Sequence, residues 1–182
     1  RRRHTRYISV TGVQTCALPI YLRYAYPIDP YGMSKNFIAK SGLLYPNFNN
    51  IRIFGVFNHD ELSSRMIKAN ILNYINKQPI VIHKDKWMDF FFMDDLCKVV
   101  KFVIDSDNKQ KIINCCYEEK FKLSTIANYI NQLSNYNVDI IVENDNLDLC
   151  YYGDYNLHLF DINLTGLLNG ITKTYEKLIE LK

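Results

Sequence analysis

Pro27-Ile28-Asp29-Pro30-Tyr31-Gly32-Met33-Ser34-Lys35 is the stretch on which the reading of this chain turns, because it sets Tyr31 and Lys35 four residues apart at a helix start. Pro30 presets the first helical φ and has no N–H to leave unsatisfied, so a helix is expected from Tyr31 to about Tyr45, closed by Pro46-Asn47-Phe48-Asn49-Asn50. Residues i and i+4 of a helix lie on one face with Cβ atoms about 5–6 Å apart, so the Lys35 ammonium can stand beside the Tyr31 hydroxyl. A positive neighbour stabilises a phenolate, and a phenolate so held is a general base for a hydroxyl proton. The spacing alone also describes a solvated pair on an ordinary surface helix, since the chain holds 14 tyrosines. Phe37, Ile38, Ser41 and Leu44 are expected to give this helix an apolar face.

Outward from this helix, Ile51-Arg52-Ile53-Phe54-Gly55-Val56-Phe57 is a β-branched and aromatic run of the kind that forms a buried parallel strand. Ligands in open α/β sheets bind beyond the carboxyl ends of strands, which places a site near Gly55 to Asn58. Met66, Ile67, Ile71, Leu72 and Ile75 recur at helical spacing within a helix expected over 61–76. A strand over 79–83 follows. The block Trp87-Met88-Asp89-Phe90-Phe91-Phe92-Met93-Asp94-Asp95-Leu96 then runs from a strand into a helix ending near Ile104. A strand over 111–116, a helix from Leu123 to Leu133, a strand over 138–142, an aromatic loop over 148–159 and a helix from Thr165 to Leu181 complete the order. Asp94 or Asp95, Ser124 and Thr165 are the expected N-caps of the last three helices.

Two of these stretches carry a family likeness. The motif Pro27-x-Asp29-Pro30-Tyr31-Gly32-x-Ser34-Lys35 resembles the active-site segment of the NAD-dependent epimerase/dehydratase family, the extended short-chain dehydrogenase/reductases that act on nucleotide sugars. Trp87 to Leu96 resembles that family's Arg-Asp-Phe-x-Tyr-Val-Asp-Asp block. The resemblance implies that Tyr31 takes a proton from a sugar hydroxyl while the carbon beneath it gives hydride to NAD or NADP. It implies that Lys35 holds the nicotinamide ribose, that Phe54 and Gly55 pass the cofactor carboxamide, and that Asn58, Arg65 and Trp87 line the nucleotide-sugar substrate. Gly55 stands where many relatives have Asn. Met88 stands where the family places a diphosphate-binding Arg, so Arg65, Lys84 or Lys86 would have to supply that contact. In relatives the loop matching 148–159 closes over the sugar nucleotide; a packed aromatic loop is the other reading. His83, one histidine near a strand end, is read as structural.

The fold so implied is α/β. Residues 21–57 are the C-terminal remnant of a Rossmann-like doubly wound sheet, and 58–182 form a smaller mixed α/β substrate-binding region whose later elements return to the cofactor domain. A homodimer is expected from the same resemblance.

The opening stretch is read differently. Val10 to Ile20, Val-Thr-Gly-Val-Gln-Thr-Cys-Ala-Leu-Pro-Ile, resembles a translated sequencing-library adapter, so residues 1–20 are set aside as foreign. Four of the 22 basic residues lie there with no acid, leaving 18 against 19 acidic residues and a net charge of −1 in place of +3. The arginine-rich start then stops arguing for nucleic acid. No apolar run approaches the ~18 residues of a membrane span. Outside that stretch, Cys97, Cys115, Cys116 and Cys150 match neither a zinc spacing nor a small secreted framework, and read as reduced thiols of a cytoplasmic protein with no metal site.

A strand, a Gly-x-x-Gly-x-x-Gly turn and a helix that receives the cofactor pyrophosphate open a complete member of this family. The seven glycines here form no such turn, and no upstream catalytic Ser or Thr is recognisable. The chain is accordingly expected to be the C-terminal part of a longer epimerase, dehydratase or reductase, inactive by itself. The alternative is a non-catalytic nucleotide-sugar-binding or oligomerisation remnant of the same fold.

Overall fold

The computed structural model describes residues 30–106, 110–144 and 150–182. The segment read as foreign, 1–20, residues 21–29 with the Pro27–Asp29 part of the motif, and the start of the aromatic loop lie outside the described residues. The elements in order are α1 (Pro30–Gly42), β1 (Asn50–Ile53), β2 (Val56–Phe57), α2 (Met66–Ile75), β3 (Ile80–Lys84), β4 (Phe91–Phe92), α3 (Met93–Asp105), β5 (Ile112–Cys115), α4 (Leu123–Ile130), β6 (Ile140–Asn144), a 3-10 turn (Leu157–Leu159) and α5 (Leu167–Glu180).

Strands pair in parallel as β1 with β5, β2 with β4 and β3 with β6, each pair enclosing at least one helix in the chain between its members. Parallel pairing demands such crossovers, and the result is the mixed α/β class read from the sequence. The run expected as one strand over 51–57 is two. β1 lies against β5 with Ile51 opposite Ile113, whereas β2 lies against β4 with Val56 opposite Phe91. The chain changes partner at Phe54–Gly55, where Phe91 N–H already donates to the Gly55 carbonyl at 2.7 Å.

The core is built where helices close on these pairs. Ile67, Asn70, Ile71 and Tyr74 form the buried stripe of α2. Asn70 clips that helix to β3 by accepting from Val81 N–H at 2.8 Å and donating to the Val81 carbonyl at 3.1 Å. Tyr74 stacks on Tyr136 at 4.6 Å between centroids, and each hydroxyl donates to the other residue's carbonyl. Both polar tips are thereby satisfied within an apolar setting. Helix α2 starts at Met66, later than the expected Glu61, because Arg65 N–H closes a turn on the Leu62 carbonyl and keeps 61–65 out of the helix.

The expected caps are wrong in an instructive way. None of α3, α4 and α5 has a side-chain hydrogen bond from its own N-cap residue, and those residues are Phe92, Lys122 and Gly166. Ser124 lies inside α4, where its N–H and hydroxyl donate to Asp85 of the preceding loop at 2.9 and 2.8 Å. Asp95 is fully buried and accepts from Tyr117 hydroxyl, Lys98 Nζ, Thr165 N–H and Gly166 N–H at 2.7–3.0 Å. It therefore fastens α3 to the entry of α5. Burial alone would raise its carboxyl; the donors, led by Lys98 and Thr165, outweigh it and hold the carboxyl below its usual range.

Helix α1 stands apart from this core. The face expected to be apolar is turned to solvent, with Phe37, Ile38 and Leu44 at 72%, 55% and 84% exposure. Lys111 Nζ ties its far end down by donating to the Tyr45 carbonyl at 3.0 Å and to that of Pro46.

Candidate active site

Tyr31 and Lys35 lie in the first turns of α1, and the helix brings them together as the spacing requires. The Lys35 ammonium lies 5.4 Å from the Tyr31 ring centroid, over the ring face. Tyr31 is 60% exposed and Lys35 is exposed, so both side chains stand at the surface. Ser34 is used locally, its hydroxyl donating to the Tyr31 carbonyl at 2.7 Å. Chemically this is a phenol with an ammonium over its ring, a pairing suited to taking or giving a proton at a bound hydroxyl.

A second assembly surrounds Phe54–Gly55. A Cβ on Gly55 would come within 3.1 Å of both the Asp89 carbonyl and the Phe90 ring, so the glycine permits the close approach of the 87–90 strip. Phe54 meets Tyr151 edge to face at 5.7 Å, and its ring occupies the place where Gly153 would carry a side chain. Asp89 knots these segments: buried itself, it accepts from Lys120 Nζ at 2.9 and 3.1 Å and from Gly153 N–H at 2.7 Å. Burial pushes its carboxyl above the usual value, opposed by the Gly153 hydrogen bond and the Lys120 charge.

The remaining expected residues are placed separately. Trp87 is 39% exposed and carries the Lys122 ammonium 5.7 Å from its ring centroid. Asn58 spends its side-chain oxygen on the Asp60 N–H at 3.0 Å, an Asx turn that shapes its own loop. Arg65 is exposed at the N-cap of α2. Met88, at the position of the family arginine, is bridged to Tyr151 and packs on the core. Lys84 and Lys86 are half-buried, the first at the end of β3 and the second beyond it. His83 is an exposed surface residue whose Nδ1 lies 2.8 Å from Glu143 across the β3–β6 pair.

Three groups escaped the sequence reading. Asp89 lies in the Trp87–Leu96 stretch, whose sequence points to aromatic packing and a helix cap, and Lys120 carries no local signal. Glu61 was read as the first residue of a helix. It lies in the loop before α2, its Oε1 sealed from solvent and without a hydrogen-bond partner. Burial pushes this carboxyl up to about 7, against the charges of Arg65 and Lys68. Cys115 and Cys116 are buried, their thiols pushed up by desolvation to about 12 and about 11, which makes them inert packing groups. Among the described residues no group of three His, Cys, Asp or Glu side chains could hold a metal, and no helix is long and apolar enough to cross a membrane.

The family model described as NAD dependent epimerase/dehydratase matches residues 19–116, more than half of the 182. That span contains the Tyr31/Lys35 segment, the Phe54–Gly55 corner and the 87–96 block. The comparison with curated proteins gives no match. Solved structures similar to this chain include UDP-glucuronic acid 4-epimerase from Bacillus cereus in complex with UDP-glucuronic acid and NAD, at 16% identity and TM-score 0.66 over 86% of this chain and 55% of that one. An NAD dependent NDP-hexosamine 5,6-dehydratase of tunicamycin biosynthesis is 14% identical, with TM-score 0.68 over 94% and 62%. The dTDP-glucose 4,6-dehydratase from Bacillus anthracis in complex with NAD is 14% identical, with TM-score 0.66 over 85% and 53%. These likenesses establish a shared fold. The chain spans 53–62% of the length of these three structures.

Proposed function

Because the chain belongs to the NAD dependent epimerase/dehydratase family, we propose that it is the catalytic-tyrosine and substrate-binding part of an NAD(P)-dependent epimerase, dehydratase or reductase of nucleotide sugars. The observation that carries this reading is the Tyr31/Lys35 pair, side by side on one open face of α1 with the ammonium 5.4 Å from the ring. The nicotinamide, when bound, supplies the hydride acceptor, and the protein supplies orientation and charge. Tyr31 removes the proton from the sugar hydroxyl as the carbon beneath it is oxidised, and returns it when the product forms. Lys35 holds ribose hydroxyls and keeps its charge over the Tyr31 ring. Phe54 and Gly55 give backbone to the cofactor amide at the corner where β1 hands over to β2. Arg65, Asn58 and Trp87 border the nucleotide sugar. Nucleotide-sugar neighbours support the substrate class, since the Bacillus cereus relative holds UDP-glucuronic acid and NAD.

No glycine-rich phosphate turn is present in the sequence, so the 182-residue chain by itself is proposed to bind nicotinamide cofactors weakly and to lack turnover. Fluorescence titration of NADH into the purified chain tests this, and a micromolar Kd would contradict it. The second reading, an oligomerisation module, draws on the exposed Phe37 and Ile38 of α1 and Leu44 of the turn that follows it, which also support a homodimer in the complete protein. Sequencing the reading frame upstream of Tyr21 separates the two, with an in-frame strand, Gly-x-x-Gly-x-x-Gly turn and helix expected for the enzyme. The four free thiols, Cys115 and Cys116 buried, Cys150 half-buried and Cys97 exposed, support a cytoplasmic setting.

A further inference from the structure

Arg52 has no part in the chemistry above, yet it holds a charge in a costly place. It lies in β1 opposite Asn114 of β5 in the parallel ladder, so the two side chains leave the sheet on the same face. The chain over 151–154 crosses that face. The Asn114 side chain donates to the Asp154 carbonyl at 2.8 Å, Cys116 Sγ lies 3.5 Å from the Gly153 carbonyl, and Phe54 meets Tyr151 edge to face at 5.7 Å. Two residues of strand rise set Arg52 about 6–7 Å from Phe54, a span that an arginine side chain bridges. Arg52 is half-buried, and among the described residues its guanidinium makes no hydrogen bond and no ion pair. Burial pulls its pKa below the ordinary value, with no described acid opposing the pull. Asp154, the acid of the crossing segment, is exposed. A partly buried charge without a partner weakens a fold, so its presence calls for a partner that arrives from outside.

We propose that the Arg52 guanidinium binds the diphosphate of the nucleotide sugar, reaching it from β1 beside Phe54 and the 151–154 crossing. The proposal rests on the nucleotide-sugar reading above and supplies a charge that reading lacks. Met88, at the position of the family arginine, is packed on the core, and Arg65 stands at the surface where α2 begins. A guanidinium presents two parallel N–H donors that match two phosphate oxygens, and its weak hydration suits a half-dried setting. The bound anion then becomes the partner that the protein itself does not provide.

Titration of the 182-residue chain with UDP-glucose, UDP and uridine, followed by calorimetry and ligand-observed NMR, tests the assignment. Arg52→Met is expected to weaken UDP-glucose and UDP about 10- to 100-fold, the worth of hydrogen bonds to a charged group, and to leave uridine within about 2-fold. Arg52→Lys, which keeps the charge and loses the fork, is expected to fall between wild type and Arg52→Met. No protein partner is lost, so Arg52→Met is expected to unfold at or above the wild-type temperature, which a structural arginine would not do. Asp154→Asn is expected to leave UDP binding within about 2-fold. A fall in Tm of more than about 4 °C for Arg52→Met, or a loss of UDP binding for Asp154→Asn equal to that for Arg52→Met, would make Arg52 a structural partner of the crossing segment and overturn the assignment. Unchanged UDP binding by Arg52→Met, with wild type binding UDP-glucose, would overturn it and leave the nucleotide-sugar reading standing. Failure of the wild-type chain to bind UDP-glucose or UDP would overturn both.

Discussion

Asp89→Ala strikes the knot that holds the Phe54–Gly55 corner together. The Lys120 side chain is 21% exposed and Asp89 is 6% exposed, so removing the carboxylate strands a largely buried ammonium. It also removes the acceptor of Gly153 N–H, now 2.7 Å away. Deleting one partner of a buried pair costs about 3–5 kcal/mol, and an orphaned buried N–H about 1–3 kcal/mol more. The residual exposure of Lys120 lets water recover part of this, so a net loss of about 3–5 kcal/mol is expected. For a chain of this size each kcal/mol moves Tm by roughly 2–4 °C, so calorimetry at pH 7 should record a fall of roughly 6–20 °C. The double variant Asp89→Ala with Lys120→Met, which removes the stranded charge as well, should recover at least half of that loss. A fall below about 0.5 kcal/mol, or a double variant no better than the single one, would refute the idea that this pair organises the corner.

Other perturbations probe separate parts of the account. Glu61 is held at about 7 from an ordinary value of 4.5, so the folded state binds the proton more tightly and stability should fall as pH rises through that window. Glu61→Gln should flatten that slope and stabilise the protein at pH 8 by about 1–2 kcal/mol after allowing for solvent access, as urea melts at several pH values would record. The Asp95 carboxyl is depressed, so its contribution should be present above its ordinary value of 3.8 and lost as pH falls through its lower folded value. Asp95→Asn should therefore lessen the sensitivity to acid while lowering stability at neutral pH. Gly153→Ala should cost about 1–3 kcal/mol, because the new methyl meets the Phe54 ring, and Phe54→Leu should relieve it in part.

Local chemistry made part of this structure legible and hid the rest. Pro30 and the i,i+4 spacing of Tyr31 and Lys35 are properties of one helix turn, and that helix forms with the two side chains together. The β-branched runs likewise become strands. Partner choice is not local: nothing between Ile51 and Phe57 announces that Gly55 will be claimed by Phe91, which is why one expected strand is two. The caps failed for the same reason. A hydroxyl at a helix start is expected to satisfy the nearest orphan N–H, yet Asp85, far earlier in the chain, accepts from Ser124 and Asp95 serves the entry of α5. Burial of Glu61 arises only when the loop is seated, so a sequence pattern could not expose it. The apolar positions of α1 were legible as apolar; their exposure depends on what else stands beside the helix.

Single-turnover absorbance at 340 nm on the complete enzyme, with Tyr31→Phe beside wild type, tests the central claim most directly. The account predicts that kcat falls about 10²- to 10⁴-fold, the usual worth of a positioned acid–base group, while the Kd for the nucleotide sugar stays within about 2-fold. An undiminished kcat, or equal losses in turnover and binding, would contradict it and leave Tyr31 a structural residue.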